Sequence, residues 1–515
     1  MAAAAVKRKA LDQEAEGRLH ISLVGIGGHK IAEGTWHRSC KMLELFRIAH
    51  RSKPGLQVKL LHGSSKLNPQ MTLDLLDQNL GGVSVTVCFS KAPKQQQTFS
   101  FGLAFAAIKD DGSVVTWGEA DSGGGSSSVA DKLQEGVVQV AGNDGAFAAV
   151  KDDGSVVTWG KAVYGGDSSS VADKLQEGVV QVAGNGSAFA AIKDDGSVVT
   201  WGAADSGGDS SSVADKLQEG VVQVAGNGSA FAAMKEDGSV VTWGKAVYGG
   251  DSSSVADKLQ EGVVQVAGNG SAFAAIKDDG SVVTWGSTVC GGDSSSVADK
   301  LQGGIVQVAG NGCAFAAIKD DGSVVTWGQA ISGGDSSSVA DKLQEGVVQV
   351  VGNGHAFAAI KDDGSVVTWG QAIYGGDSSS VADRLQEGVV QVAGNGLAFA
   401  AIKDDGSVVT WGEADSGGGS SSVADKLQEG VVQVAGNDGA FAAIKDDGSV
   451  VTWGAADSGG DSSSVADKLQ EGVVQFAGNG SAFSAIKDDG SFIAWGAADE
   501  GCDSSSVADK HFKKA

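Results

Sequence analysis

The chain has 515 residues with 79 glycines, only three prolines and a 42% apolar content, which excludes a collagen, a proline-rich linker and a low-complexity disordered chain. Its net charge of −25 is unevenly divided: residues 1–94 carry 14 basic and 7 acidic side chains, the remainder 24 and 56. An acidic body of that size repels phosphate backbones and excludes nucleic acid as its partner.

Residues 1–17 read as a flexible tail. They lack the apolar core of a secretory signal, and no apolar run in the chain approaches the ~18 residues of a membrane span. Lys7-Arg8-Lys9 is either a nuclear address or a solvated basic stretch. Five scattered cysteines (Cys40, Cys88, Cys290, Cys313 and Cys502) show no C-x-x-C spacing, which points to a reducing compartment and argues against zinc and disulfides. The expected location is the cytoplasm, with the nucleus as the alternative that the basic stretch would open.

Residues 18–92 read as a small α+β domain. Leu19–Ile26 and Lys30–His37 flank a Gly27-Gly28 hairpin turn. Ser39 opens a helix carrying Leu43, Leu45, Phe46, Ile48 and Ala49 and ended by Pro54-Gly55, and Leu56–Leu61 and Val83–Phe89 supply two further strands. The stretch Val58-Lys-Leu-Leu-His-Gly63, followed by Leu67, Met71-Thr-Leu73 and Val83-Ser-Val-Thr-Val87, resembles the second half of ubiquitin-like domains. That resemblance implies a β-grasp fold and a built-in recognition domain, since Ser90-Lys-Ala-Pro-Lys94 replaces the Gly-Gly tail needed for conjugation. It also implies a partner-binding face around Leu60, His62 and Cys88; the alternative for Leu60 is a core position.

Residues 93–515 are one unit repeated. Tryptophans recur from Trp117 to Trp495 every 42 residues without a slip, giving ten units. In the second unit, Val137–Gly142, Ala146–Lys151 and Val156–Gly160 are β-prone runs separated by Asn/Asp/Gly clusters, which predicts a three-stranded antiparallel meander. Phe147 and Ala149 on one side and Ala148 and Val150 on the other make both faces apolar or small, as in a sheet held between two neighbouring sheets. The connector Asp167–Gly178 reads either as a short helix, with a Ser170/Asp173 capping box and Gly178 at its end, or as a fourth strand.

The pattern V-V-Q-V-A-G followed by A-F-A-A-I-K-D-D-G-S-V-V-T-W-G resembles the regulator-of-chromosome-condensation repeat, and the unit is similar to the blades of the bacterial β-lactamase inhibitor of the same propeller superfamily. The resemblance implies an all-β, propeller-like array of ten 42-residue blades behind the ubiquitin-like domain. It does not choose a function, because such propellers serve guanine-nucleotide exchange, light sensing, inhibition and scaffolding. Ten units replace the usual seven, and the His often found before the second strand occurs once, as His355. A ring of ten, an open spiral and seven plus three all remain open, the first strand near Lys94–Thr98 being degenerate.

The repeat carries little that reads as chemistry. Asp152-Asp153 and its copies sit before Gly as turn residues, Gly-Gly-Asp-Ser-Ser-Ser lacks calcium-loop spacing, and Gly-Asn-Gly lacks the Lys of a phosphate loop. His355 and His511 are the body's only imidazoles, and the tryptophans read as spacers between blades rather than a light-sensing cluster. No enzyme activity, cofactor or metal is expected. The units differ mainly just after Trp-Gly and at one residue before Ala-Phe. In the first slot units 2 and 4–7 carry Val163, Val247, Val289, Ile331 and Ile373, three of them followed by the chain's only tyrosines, Tyr164, Tyr248 and Tyr374. Units 1, 3, 8, 9 and 10 carry Asp121, Asp205, Asp415, Asp457 and Asp499 there. A closed ring would gather these into an acidic arc and an apolar, Tyr-bearing arc suited to a protein partner; drift after duplication is the competing reading. The expected function is a non-catalytic scaffold coupling a repeat propeller to ubiquitin-pathway machinery, the alternative being guanine-nucleotide exchange on, or regulation of, a small GTPase. The expected partners are proteins, with no membrane or nucleic acid.

Overall fold

The computed structural model describes residues 18–25, 30–38, 57–62, 65–66, 83–90 and 97–497, with Cys40, Met42, Leu45, Leu73 and Leu76 between them. The tail, the Gly27-Gly28 turn, most of the expected helix from Ser39 to Gly55, and Asp499, Cys502 and His511 lie outside the described residues. Among the described residues no helix is long and apolar enough to cross a membrane. The chain divides into two units, Met1–Gln95 and Gln96–Ala515.

In the first unit, period-2 alternation places Leu19, Ile21 and Leu23 of β1 (Arg18–Gly25) on the core side. β1 pairs antiparallel with β2 (Lys30–His37) and parallel with β5 (Val83–Ser90), Ile21 opposite Val83. β5 pairs antiparallel with β3 (Gln57–His62), which folds back onto the two-residue β4 (Ser65–Lys66), so the sheet order is β2-β1-β5-β3-β4. Met42, Leu45, Leu60, Leu73 and Leu76 close the core over Val83, Val85 and Val87. Leu60 is therefore a core residue with no exposed surface and does not belong to a binding face, a correction that follows from the inward phase of β3. His62 is half-buried at the end of β3; Cys88 pairs with Lys59 along the backbone, and its side chain lies outside the description. On the exposed side Glu33 accepts hydrogen bonds from Lys30, from His20 (2.9 Å) and from Ser22 (3.1 Å), which lower its pKa to about 2.

In the second unit every repeat is a three-stranded antiparallel blade, from β6 (Gln97–Phe101), β7 (Ala104–Ile108) and β8 (Val114–Gly118) to Val473–Gly478, Ala482–Lys487 and Phe492–Gly496. Blade 2, made of β9 (Val137–Gly142), β10 (Ala146–Lys151) and β11 (Val156–Gly160), shows the packing. Phe147 lies opposite Gly142 on one side and Trp159 on the other, with the two aromatic rings stacked 5.3 Å apart. Between blades small meets large: Ala104, Ala106 and Ile108 of blade 1 pack on Val137, Val140, Phe147 and Trp159 of blade 2. The indole Nε1 of Trp159 donates to the Gly123 carbonyl of the preceding blade's loop at 2.9 Å, and the same bond recurs 36 residues back from every later tryptophan up to Trp495. Burying an indole with its one donor satisfied gains apolar area without a desolvation penalty.

Among the described residues the connector contains 3₁₀ helices and no fourth strand. Ser169–Leu175 is one such helix, with Leu175 buried and Gly178 (φ 76°) turning the chain into the next blade. The expected Ser170/Asp173 box is not its cap. The N-cap is Ser168, which makes no side-chain cap bond; one residue earlier the Asp167 carboxylate accepts from Ser169 N at 2.9 Å, a bond that also lowers its pKa.

The ten blades close into one ring. Ala482, Ile486, Phe492 and Ala494 of blade 10 pack on Phe105, Ala107, Val115 and Trp117 of blade 1 in the sense of every other interface, with Trp117 and Phe492 5.4 Å apart. Ser100 Oγ donates to the Gly478 carbonyl at 2.6 Å, and Gly480 N to that of Gly102 at 3.4 Å. The degenerate first strand pairs continuously, from Gln97 opposite Ile108 to Phe101 opposite Ala104. Trp117 Nε1 is buried without a partner among the described residues; the acceptor that the repeat assigns to it, Gly501, lies outside them.

Candidate protein-binding face

Strand direction assigns the loops to two ends of the ring. The Asp-Asp-Gly and Glu-Gly turns meet at one end, where Asp152 N donates to the Gly136 carbonyl and Val179 N to that of Gly154. The Asn turns and the loops after Trp-Gly meet at the other, where Lys161 N donates to Gly145 O at 2.8 Å. Both variable slots of the repeat therefore fall on a single face.

Asn builds that face. Asn185 Oδ1 accepts from Ser187 N and Ala188 N at 2.9 and 2.8 Å, while Nδ2 donates to the Ser206 carbonyl of the blade's own variable loop at 2.6 Å. Gly186 is needed for close approach rather than positive φ, since a Cβ there would stand 2.6 Å from the Gly228 carbonyl of the next blade. The loop itself, Ala162–Tyr164 in blade 2, is one 3₁₀ turn ended by Gly165 at φ 97°, where a Cβ would press on Phe189 at 2.7 Å.

This turn aims the first slot outward. Val163, Val247, Val289, Ile331 and Ile373 are between 58% and 69% exposed. Tyr164, Tyr248 and Tyr374 are half-buried beside them, each fixed by neighbours: Lys161 over Tyr164, Lys245 Nζ 5.0 Å above the Tyr248 ring, and His355 4.9 Å from Tyr374. Blades 4–7 form an uninterrupted apolar arc by their order in the chain, and ring closure brings Asp121 round to the side of Asp415 and Asp457, all three exposed. Blade 3 adds exposed Asp205, and Lys161 offsets Glu119 at 3.8 Å. Asp144 and Asp438, which replace Gly in the Asn turns of blades 2 and 9, are half-buried, and desolvation pushes their carboxyls up. Among the described residues no group of three His, Cys, Asp or Glu could hold a metal ion.

One expectation is overturned here. Cys290, in the Tyr slot of blade 5, and Cys313, in the slot before Ala-Phe of blade 6, form a disulfide. Positions 23 apart in sequence are brought together because the loop of one blade rests on the Asn turn of the next, a juxtaposition the scattered spacing concealed. The bond staples the centre of the apolar arc. Reducing it is expected to cost roughly 3 kcal/mol for a loop of this length, read as a lower urea midpoint in dithiothreitol that the Cys290→Ser/Cys313→Ser variant does not show. Equal midpoints with and without reductant would count against it.

Sequence reasoning missed a second repeated feature. The inner strand bulges at its second valine, leaving Val138, Val180, Val264, Val306, Val390 and Val432 between 55% and 60% exposed at the opposite end of the ring. The Val-Val doublet that breaks period-2 alternation was the available signal. Between blades 8 and 9 Val390 and Val432 border a groove lined by Lys403 and Lys445 and by five carboxylates, those of Asp404, Asp405, Glu429, Asp446 and Asp447.

No model of a known protein family matches the chain, and no curated protein matches it in sequence. Among solved structures it is similar to human WBSCR16 (17% identity, TM-score 0.31, covering 70% of this chain and 89% of that one) and to yeast RCC1 (Prp20) crystallised with Kap60 (17%, 0.30, 53% and 81%). The ectodomain of the Arabidopsis thaliana receptor kinase ACR4 is a further neighbour (16%, 0.29, 54% and 97%). The register within the blades and the packing between them make the ring an all-β propeller of three-stranded blades.

Proposed function

We propose that the chain is a non-catalytic interaction scaffold, in which the ring holds a protein client on its variable face and the N-terminal unit, read as a ubiquitin-like domain, couples it to ubiquitin-pathway machinery. The observation that carries the client-binding half is the segregation of exposed aliphatic residues with half-buried tyrosines onto blades 4–7 of one face, on an otherwise uniform repeat. The second half is supported by the four strands read for that domain, which join with the short β4 in one mixed sheet, β2-β1-β5-β3-β4.

The test is affinity capture with the full chain against Tyr248→Ala/Tyr374→Ala. Specific partners should be lost from the variant while its melting temperature stays within a few degrees; unchanged recovery would remove the client-binding reading. Accelerated release of guanine nucleotide from a small GTPase by the full chain would replace the scaffold with the exchange-factor reading, the alternative that the repeat resemblance leaves open.

A further inference from the structure

The variable face is not only apolar on one arc; it is acidic on the other, and the two arcs meet. Each blade from 2 to 7, and blade 9, carries an exposed aspartate in the segment that leaves this face, as Asp167 does in blade 2, where it accepts from Ser169 N. In blades 4–7 that carboxylate follows the exposed Val247, Val289, Ile331 or Ile373 by four residues, and blade 4 also carries Lys245. In blades 3 and 9 it is joined by Asp205 and Asp457. Blades 1 and 8 have Gly125 and Gly419 in place of that aspartate but gain the pairs Glu119/Asp121 and Glu413/Asp415. Negative charge thus rises on leaving the apolar arc, toward blades 8, 9 and 1 on one side and at blade 3 on the other.

We propose that the occupant of this face is a cationic amphipathic protein segment, its apolar side chains seated on blades 4–7 and its lysines or arginines over Asp415, Asp457 and Asp121. This rests on the client-binding reading above and specifies the partner's chemistry. An acidic or neutral segment would cover the valines while leaving exposed carboxylates desolvated or facing like charge, which costs affinity and slows encounter. A cationic segment without apolar side chains would leave the aliphatic arc in water. The face is already ordered for docking: Lys245 and His355 hold the tyrosines, and Cys290–Cys313 fixes the loop carrying Val289, so little loop entropy is lost on binding.

The probe is an 18-residue peptide of Lys and Leu in an amphipathic helical pattern, labelled for fluorescence anisotropy against the full chain, beside Glu/Leu and Lys/Ser peptides of the same pattern. The Lys/Leu peptide should bind about tenfold or more tighter than either control, with affinity falling as salt rises. Ile331→Ser/Ile373→Ser should bring it to the level of the Lys/Ser peptide, and Asp415→Asn/Asp457→Asn should weaken it and flatten the salt dependence. Equal binding of the Glu/Leu peptide, equal binding of the Lys/Ser peptide, or indifference to both double variants would each overturn the proposal. If clients are lost with Tyr248 and Tyr374 while the Lys/Leu peptide fails to bind, the scaffold reading stands and this assignment of partner chemistry falls.

Discussion

Replacing Trp285 by Ala should destabilise the ring by about 3–5 kcal/mol, the largest loss expected from any single side chain of the repeat. The indole is almost fully buried and stacks on Phe273 with centroids 5.4 Å apart. Its Nε1 donates to the Gly249 carbonyl of blade 4 at 3.0 Å, so truncation opens a cavity and strands an acceptor at the same time. Gly249 has φ 97° and lies against Phe273 and Trp285, which leaves no side chain there to fill the void. Trp285→Phe should cost less, about 1–3 kcal/mol, because most of the apolar area survives and mainly the hydrogen bond is lost. Urea unfolding of the full chain separates the two. Equal losses for Ala and Phe would mean that the hydrogen bond rather than the packing dominates, and a loss under 1 kcal/mol for Ala would contradict the burial.

The same residues explain what could be read from the sequence. Trp, Phe and the Asp-Gly turn recur with a fixed period because each blade repeats one local solution, so blade number, strand order and the apolar character of both sheet faces follow from composition within 42 residues. The hairpin glycines behave as expected at Asp-Gly, where Gly154 has φ 77°. At Asn-Gly the reason differs: Gly186 has a neighbouring carbonyl where a Cβ would be, and the turn is held by the Asn185 side chain. What was not legible depended on contacts between blades. Ring closure is set by the fit of Phe492 against Trp117, and the disulfide by a loop of blade 5 meeting a turn of blade 6; neither has a local signature. Leu60 failed as a surface residue for a related reason, since the phase of a short strand is decided by the sheet it joins. For the candidate face, sequence variation located both slots, and the fold supplied the fact that they share one end of the ring.

Closure itself yields the second large prediction. Ala482 of blade 10 and Ala314 of blade 6 occupy equivalent positions, both without exposed surface. Ala314 faces Phe357 and Trp369 of blade 7; Ala482 faces Phe105 and Trp117 of blade 1, a contact that exists only in a closed ring. Aspartate at either position would place an unpaired carboxylate between stacked sheets, at a cost of about 3 kcal/mol or more. Ala482→Asp and Ala314→Asp should therefore lower stability by similar amounts, measured as urea midpoints on the full chain. An open spiral, or seven blades followed by three, would leave the outer face of blade 10 in water, where the same aspartate costs within about 0.5 kcal/mol. A near-neutral Ala482→Asp beside a damaging Ala314→Asp would break the ring. It would also separate blades 8, 9 and 1, and with them the acidic arc that the proposed cationic partner requires.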